Sequence, residues 1–429
     1  MFDVIVAGGG AAGFYSAIQM AEHNSNLKIA ILERGKTVLS KVKVSGGGRC
    51  NVTQAKFVAK DLVEGYPRGQ KELLGPFHSH APGDVMAFFE ERGVALKIEE
   101  DGRIFPKSDS SQSIIDCFHR DIEKHGIRIL KNSSVKSFQK GEDDEWQVIT
   151  MNKKYCSKFL LLATGSNVRI WKLLEDLGHT IIPPVPSLFT FNIDDERIKG
   201  IPGISVDASV EIPPKKIFSS NISVELKSVP KSHPVLESEG PVLITHWGLS
   251  GPAILKLSAW GARILEDYKY NFRVIINWTP EYSTASMEGF LREVKEVEAK
   301  KTVSRTQAVS IPKRLWIRLV EASGISKERR WGEVSKEQLK NLSKELTACS
   351  FKVEGKSTFK EEFVTAGGID LKEINFKTFE SKLFPNLFFA GEIINVDGIT
   401  GGYNFQNAWT GAYLAAKEIA SRNLLQSKG

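Results

Sequence analysis

Cysteine is scarce: Cys50, Cys117, Cys156 and Cys349 are scattered over 429 residues, with no C-x-x-C pair among them. That spacing argues against a disulfide scaffold, a zinc site and a dithiol relay, and no metal is expected. No apolar run approaches the roughly 20 residues a membrane helix needs, and no basic-plus-apolar leader precedes the first strand. A cytoplasmic location without membrane attachment is therefore expected. Repeats and low-complexity tracts are missing as well, which disfavours solenoids and disordered arrays. The charged fraction of 25% and the apolar fraction of 41% are those of an ordinary globular protein. The length exceeds one simple core, so two or three domains are expected.

What is present is glycine in two places where phosphate chemistry needs it. The segment Gly8-Gly9-Gly10-Ala11-Ala12-Gly13 follows an apolar strand expected over 2–7 and opens a helix expected over 11–22. Gly8 permits the tight turn, Gly10 lets backbone approach a pyrophosphate, and Gly13 lets helix pack closely on strand. Unpaired amide N–H groups and the positive helix end then meet the phosphates. A second strand, expected over 28–33, ends in Glu33, where a carboxylate can accept hydrogen bonds from an adenosine ribose. A chance Gly-rich turn is the competing reading, and the strand, helix and acid together outweigh it.

Near the other end, an apolar strand expected over 386–390 runs into Gly391-Glu392, followed by Thr400-Gly401-Gly402-Tyr403-Asn404 and a helix expected over 402–420. Two such motifs bracketing one chain point to a flavin dinucleotide. A helix start aimed at the flavin would stabilise negative charge developing on reduction. Between them, Phe159-Leu160-Leu161-Leu162 reads as a buried parallel strand that turns at Ala163-Thr164-Gly165.

Four longer segments carry a closer resemblance: Lys43 to Asn51, Thr245-His246-Trp247-Gly248-Leu249-Ser250-Gly251-Pro252, Val364 to Gly368, and Asp397 to Asn404. In order, they resemble the bacterial conserved FAD-dependent flavoproteins that include aminoacetone oxidase and a bile-acid 3-dehydro-4,6-reductase, within the two-dinucleotide-binding-domain superfamily. The resemblance runs from Met1 to the final helix. It implies FAD binding by Gly8, Gly10, Ala11, Ala12, Gly13, Glu33 and Arg34 at the adenosine end. It extends this to Lys41, Ser45, Gly46, Gly47, Arg49, Cys50 and Asn51 along the flavin, and to Val135, Ala163, Thr164 and Gly165. Gly391, Glu392, Asp397, Gly401, Gly402, Tyr403 and Asn404 complete the set, with Glu392 similar to the acid of the succinate dehydrogenase and fumarate reductase branch.

The expected fold is α/β: a Rossmann-like FAD-binding domain with an inserted β-barrel or sandwich and a small helical subdomain. The expected limits are 1–188 and 359–429 for the FAD-binding domain, 189–280 for the inserted β domain, and 281–358 for the β/helical subdomain. Helices are expected over 82–92 and 110–125, a strand over 127–130, and a β-meander over 134–158. Pro183-Pro184-Val185-Pro186 breaks the pattern, and flavin-type sequence resumes near Phe363. Alternating β-branched residues over 188–278 predict antiparallel strands. Helical spacing of Phe290, Val294 and Val297, of Leu315, Leu319 and Val320, and of Leu339, Leu342 and Leu346 predicts three helices.

The candidate catalytic residues are His246, Tyr403 and Asn404. His246, a residue type suited to proton transfer, is read either as a proton carrier or as a packed, hydrogen-bonded histidine. Tyr403 and Asn404 are expected at the isoalloxazine, against a core-aromatic reading for Tyr403. Arg49 would neutralise a pyrophosphate or form an ion pair, Cys50 is a buried thiol, and Arg103 binds a carboxylate or belongs to a hairpin turn. The expected activity is hydride transfer between flavin N5 and a small or medium-sized organic substrate. It runs either as an amine oxidase or as an enone reductase, with NAD(P)H as a transient reductant. Oligomeric state is not readable. The alternative is an RNA-binding or tRNA-modifying flavoprotein, because residues 299–331 hold nine basic side chains against Glu321 and Glu328, with Trp316 and Trp331 interleaved. Solvated helix faces with core tryptophans are the plainer reading of that stretch.

Overall fold

A computed structural model describes residues 1–151, 153–214, 235–357 and 364–426. The chain forms two units, residues 1–185 with 360–429, and residues 186–359. Phe363, and part of the strand region expected over 188–278, lie outside the described residues.

In the first unit, apolar runs too continuous for a half-exposed strand build the middle of a parallel sheet. Val4 to Ala7, Phe159 to Leu162 and Leu387 to Phe389 are buried without alternation, as strands covered on both faces require. The parallel order is Leu387–Phe389, Lys154–Leu162, Phe2–Ala7, Ile29–Leu32, Arg128–Leu130. Winding reverses between Phe2–Ala7 and Lys154–Leu162, so a crevice opens at the carboxyl ends of those two strands, where dinucleotides bind in such sheets. One nine-residue strand has two roles. The polar half of Lys154–Leu162 pairs antiparallel with Trp146–Thr150, while its Phe159 to Leu162 half pairs parallel on both sides. The β-meander is therefore the approach to the central strand.

Two helices back this sheet. Ala11–His23 is buried along nearly its whole length and packs on the final helix, Tyr403–Gln426. Small side chains at Ala408, Ala412, Ala415 and Ala416 permit the close approach. Their junction is polar as well as apolar. The Tyr15 hydroxyl meets His80 Nε2 at 2.9 Å, the His80 ring stacks on Tyr413 at 4.2 Å, and the His80 carbonyl accepts from Thr410 Oγ1 at 2.9 Å. Fully burying a large apolar side chain contributes about 1.5–3 kcal/mol, and Phe14, Tyr15, Phe89, Phe118 and Trp409 are all at 0% exposure.

The proline stretch does not break the pattern as the sequence implied. Ile181–Pro186 is extended and pairs with Thr365–Ile369. Proline is compatible with an edge strand because its missing N–H can face away from the ladder. The pairing explains the glycine opposite: a Cβ on Gly367 would stand 2.6 Å from Pro184 Cα, and Gly367 sits at φ +142°.

The second unit is built on an antiparallel sheet in the order Cys349–Glu354, Asn271–Asn277, Ser205–Ile212, Leu236–Ile244, Gly248–Ser250, Thr190–Asn192, Lys356–Ser357. The two end strands are consecutive in sequence. Gly355 between them donates its N–H to Tyr270 and accepts from the Asn192 N–H, so the sheet returns to the segment where it began and closes as a barrel. Helices Thr284–Val297, Lys313–Ala322 and Lys336–Thr347 share one apolar cluster with this sheet. Val297 is 81% exposed, and Met287 and Leu291 make the buried stripe of its helix. The stretch expected to be all strand also contains the helices Pro252–Trp260 and Ala262–Asp267. Gly251-Pro252 starts the first of them, with proline supplying a helical φ at the opening position.

Candidate functional site

The crevice at the switch point is lined first by the end of the leading strand, Ala7 and Gly8, and by Leu32, Glu33 and Arg34. Ser133, Ser134, Val135, Thr164, Asn167 and Ile170 complete the lining of this solvent-open groove. Gly8, Glu33, Arg34, Val135 and Thr164 thus meet in one place. Gly8 is obligatory there: it sits at φ +120°, and a Cβ would stand 2.2 Å from the Ala163 carbonyl oxygen. Gly13 lets the helix close on the turn, since a Cβ would stand 1.9 Å from the Gly8 carbonyl oxygen. A Cβ on Gly10 would meet nothing within 4 Å, so space remains over the helix start, which no side chain caps and where no acid sits in the first turn. Ala11 and Ala12 occupy that first turn.

Glu33 is fixed by backbone donors. Its carboxylate accepts from Gly9 N–H at 2.9 Å and from Gly35 N–H at 2.7 Å, which leaves lone pairs turned toward the groove. Thr164 Oγ1 is buried without a hydrogen-bond partner among the described residues. Thr164 lines the groove, and a buried hydroxyl without a protein partner there is a group that a polar ligand can satisfy. Ser133 and Asn167 escaped the sequence reading. Asn167 had a legible signal, because it caps helix Val168–Leu177 by accepting from Arg169 N–H at 3.1 Å.

The C-terminal motif joins the same cradle. A Cβ on Gly391 would stand 3.4 Å from Ala12 Cβ and 3.8 Å from Ala408 Cβ, so Gly391 lies between the starts of the first and last helices. Glu392 pairs with Lys41 at 2.6 Å, and a Cβ on Gly165 would stand 3.5 Å from its Oε2. The Ser45–Gly48 turn carries Gly46 at φ +56° and Gly47 at φ +68°, followed by Cys50 at φ +60°. Space around Gly47 is open. Asn51, with its amide turned to satisfy both ends, donates to Thr53 and Ile104 carbonyls and accepts from Gly402 N–H at 3.0 Å, tying this turn to the final helix.

Several motif residues have other work. Asp397 is fully buried and ion-paired with Arg68. Asn404 donates to the Gly398 carbonyl at 2.9 Å and accepts from Gly398 N–H at 2.8 Å, so its amide closes the loop before the helix. Tyr403 is 4% exposed and packs on Gly65 and edge-on to Tyr66; burial, with Glu64 nearby, pushes its phenol up to about 12. Arg49 pairs with Glu99 at 2.6 Å and lies 3.9 Å over the Phe105 ring. Ser45 donates to the Val42 carbonyl at 2.9 Å. Burial pushes the Cys50 thiol up to about 12, against a hydrogen bond with Ser45 that acts in the other direction. Arg103 follows a hairpin turn and pairs with Asp101 at 2.6 Å. In the second unit, His246 is exposed at a tight turn where Thr245 N–H donates to Gly248 O at 2.8 Å, and neighbouring Trp247 is 60% exposed. Trp316 and Trp331 are both at 0% exposure, which removes them as stacking surfaces for bases.

The cradle fits FAD on three counts: the groove at the switch point, the unpartnered Thr164 hydroxyl, and the uncapped helix start with open space over Gly10. No helix among the described residues is long and apolar enough to cross a membrane. The family described as HI0933-like protein Rossmann domain matches residues 2–418. The chain is 27% identical to a Haemophilus influenzae protein named ribosomal RNA dihydrouridine synthase, over 97% of this chain and 98% of that one. It is 25% identical to a Clostridium scindens protein named 3-dehydro-bile acid delta(4,6)-reductase, with the same two coverages. Among solved structures, the fold is similar to a 3-ketosteroid-delta4-(5alpha)-dehydrogenase from Rhodococcus jostii RHA1, with a TM-score of 0.50 at 12% identity, covering 98% of this chain and 96% of that one.

Proposed function

The chain belongs to the HI0933-like Rossmann-domain family of FAD-dependent oxidoreductases, and from that membership we propose that it reduces a carbon–carbon double bond conjugated to a carbonyl, with the uracil ring of RNA as substrate. One observation carries the reading. The full-length relatives have names that describe the same bond change on unlike molecules: dihydrouridine is uridine with its ring C=C saturated beside a carbonyl, and the bile-acid enzyme is named for double bonds conjugated to a 3-oxo group. The net charge of +7 favours a polyanionic substrate over a bile acid.

Bound FAD would supply the hydride, with NAD(P)H as the reductant that recharges it. The substrate gains that hydride at the carbon β to its carbonyl and a proton at the α carbon, while the nicotinamide is oxidised. The chain's own contribution is to hold and to protonate. Glu33 and Thr164 would hold the adenosine end, the first helix start would face the pyrophosphate, and Lys41 neutralises Glu392 at the same cradle. His246, unburied on its tight turn, is the proton carrier. Tyr403 and Asn404 are left as scaffold.

The test is anaerobic mixing of the yellow holoprotein with NADH and NADPH, followed by a uridine-bearing RNA, a 3-oxo-4-ene steroid and a panel of amines. Bleaching by a nicotinamide and recovery of colour with RNA, with dihydrouridine found in the product, is the expected result. Bleaching by amines alone would establish oxidase chemistry instead, and recovery with the steroid but not RNA would move the substrate to the bile-acid class.

A further inference from the structure

We propose that an exposed cationic face of the second unit, formed by residues 300–305 and 327–330 with Lys313 and Arg314, docks the phosphate backbone of the RNA substrate. The proposal rests on the uracil reading for the identity of that RNA. Its first support is charge distribution. Residues 299–331 carry nine basic and two acidic side chains, a net of +7 that equals the net charge of all 429 residues, so the rest of the chain is balanced.

The second support is that these cations are poorly neutralised. Lys301 pairs with Glu298, and Lys327 and Arg318 share Glu321. The exposed side chains of Lys300, Arg305, Lys313, Arg314, Arg329 and Arg330 have no acidic partner among the described residues. Arg92, Arg197 and Arg422, by contrast, are each held by two carboxylates. Lys313 and Arg314 also open helix Lys313–Ala322, against its dipole and with no acid in the first turn.

The third support is that the backbone beneath the charges is fixed. Thr302 and Arg330 form an antiparallel bridge, with Val303 N–H donating to Arg329 O and Trp331 N–H to Lys301 O, each at 3.0 Å. Trp316 Nε1–H donates to the Val303 carbonyl at 3.0 Å, and the Trp316 and Trp331 rings lie 6.4 Å apart in the core. The tryptophans thus pin two sequence-distant basic segments side by side, so less ordering entropy is lost when a ligand binds. No large apolar side chain within 299–331 is exposed, whereas a membrane-binding face interleaves apolar residues with its cations.

The test uses full-length holoprotein and a fluorescein-labelled, uridine-containing RNA hairpin titrated at several salt concentrations. Six phosphate contacts predict a log–log slope of roughly −4 to −5. Arg329→Glu with Arg330→Glu should lower the affinity at low salt by about tenfold or more and make the slope shallower by about 1.4 to 1.8. Circular dichroism, bound flavin and reduction of uridine monophosphate should match wild type. Absent binding, a flat salt dependence, unchanged affinity in the double variant, or tighter retention on phosphatidylglycerol vesicles than on the hairpin would overturn the proposal. The two readings fail separately. Wild type that binds the hairpin with this slope but leaves its uracils intact sinks the chemistry and keeps the docking face; equal hairpin reduction by wild type and the double variant sinks the docking face and keeps the chemistry.

Discussion

Acidification should loosen the FAD-binding unit through His80. The residue is 4% exposed and joins the first helix, through the Tyr15 hydroxyl, to the last, through Tyr413 and Thr410. Burial lowers its pKa from 6.5 to about 4, and the Asp84 carboxylate opposes this only in part. The folded protein therefore holds the ring neutral while the unfolded chain takes up a proton first as the pH falls. The stability contributed by the neutral ring is complete above pH 6.5 and is lost progressively down to about pH 4. At 1.36 kcal/mol per pKa unit, the interval amounts to about 3 kcal/mol. His80→Gln keeps an acceptor for the Tyr15 hydroxyl but cannot titrate. Urea unfolding of wild type and variant across this pH window isolates the residue, because His179, which burial also lowers, contributes equally to both proteins. Wild type should lose about 3 kcal/mol more than the variant across the window. Parallel pH profiles would mean that the imidazole is solvated or protonated in the fold, and the argument from burial would fail.

Thr164→Val should separate apoprotein stability from cofactor affinity. Removing an unpartnered buried hydroxyl leaves apoprotein stability unchanged or raised, while FAD binding to apoprotein weakens by about 0.5–1.5 kcal/mol on titration calorimetry; equal FAD affinity would place the hydroxyl outside the cofactor contact. Glu33→Ala is expected to weaken FAD by about 1.5–3 kcal/mol, the scale of a hydrogen bond to a charged group, read as flavin lost on gel filtration. Full flavin occupancy would count against the ribose assignment. His246→Ala should retain FAD yet lose about 10²- to 10⁴-fold in turnover, the usual contribution of a positioned proton carrier. Unchanged turnover in steady-state assays rules that role out.

Where a residue's function follows from its immediate neighbours, the sequence was enough. Gly8, Gly13 and Glu33 act within a strand, turn and helix that adjoin them in the chain, and their places at the switch point were legible from spacing. Long-range pairing was not. Nothing local announces that Lys154–Leu162 changes partners halfway, that Ile181–Pro186 pairs with Thr365–Ile369, or that Asn404 turns back on Gly398. A flavin motif also mixes residues that touch the cofactor with residues that shape the loop, and residue type does not separate them.

Hydrogen-bond satisfaction does separate them, because a buried polar group needs a partner from the protein or from a ligand. Asp397 and Asn404 have theirs, in Arg68 and Gly398, within the loop that leads to Gly401 and Gly402. Thr164 Oγ1 and Gln54 Oε1 are buried without one among the described residues. A Cβ on Gly401 would stand 3.4 Å from that Gln54 oxygen, which places an unmet acceptor beside the C-terminal glycines just as Thr164 places an unmet hydroxyl beside the N-terminal ones. The same criterion sorts charge. Arg92, Arg197 and Arg422 are each held by two carboxylates, whereas Arg305, Arg329 and Arg330, beside the Thr302 to Arg330 bridge, have no acidic partner among the described residues, which is the charge pattern the proposed docking face requires.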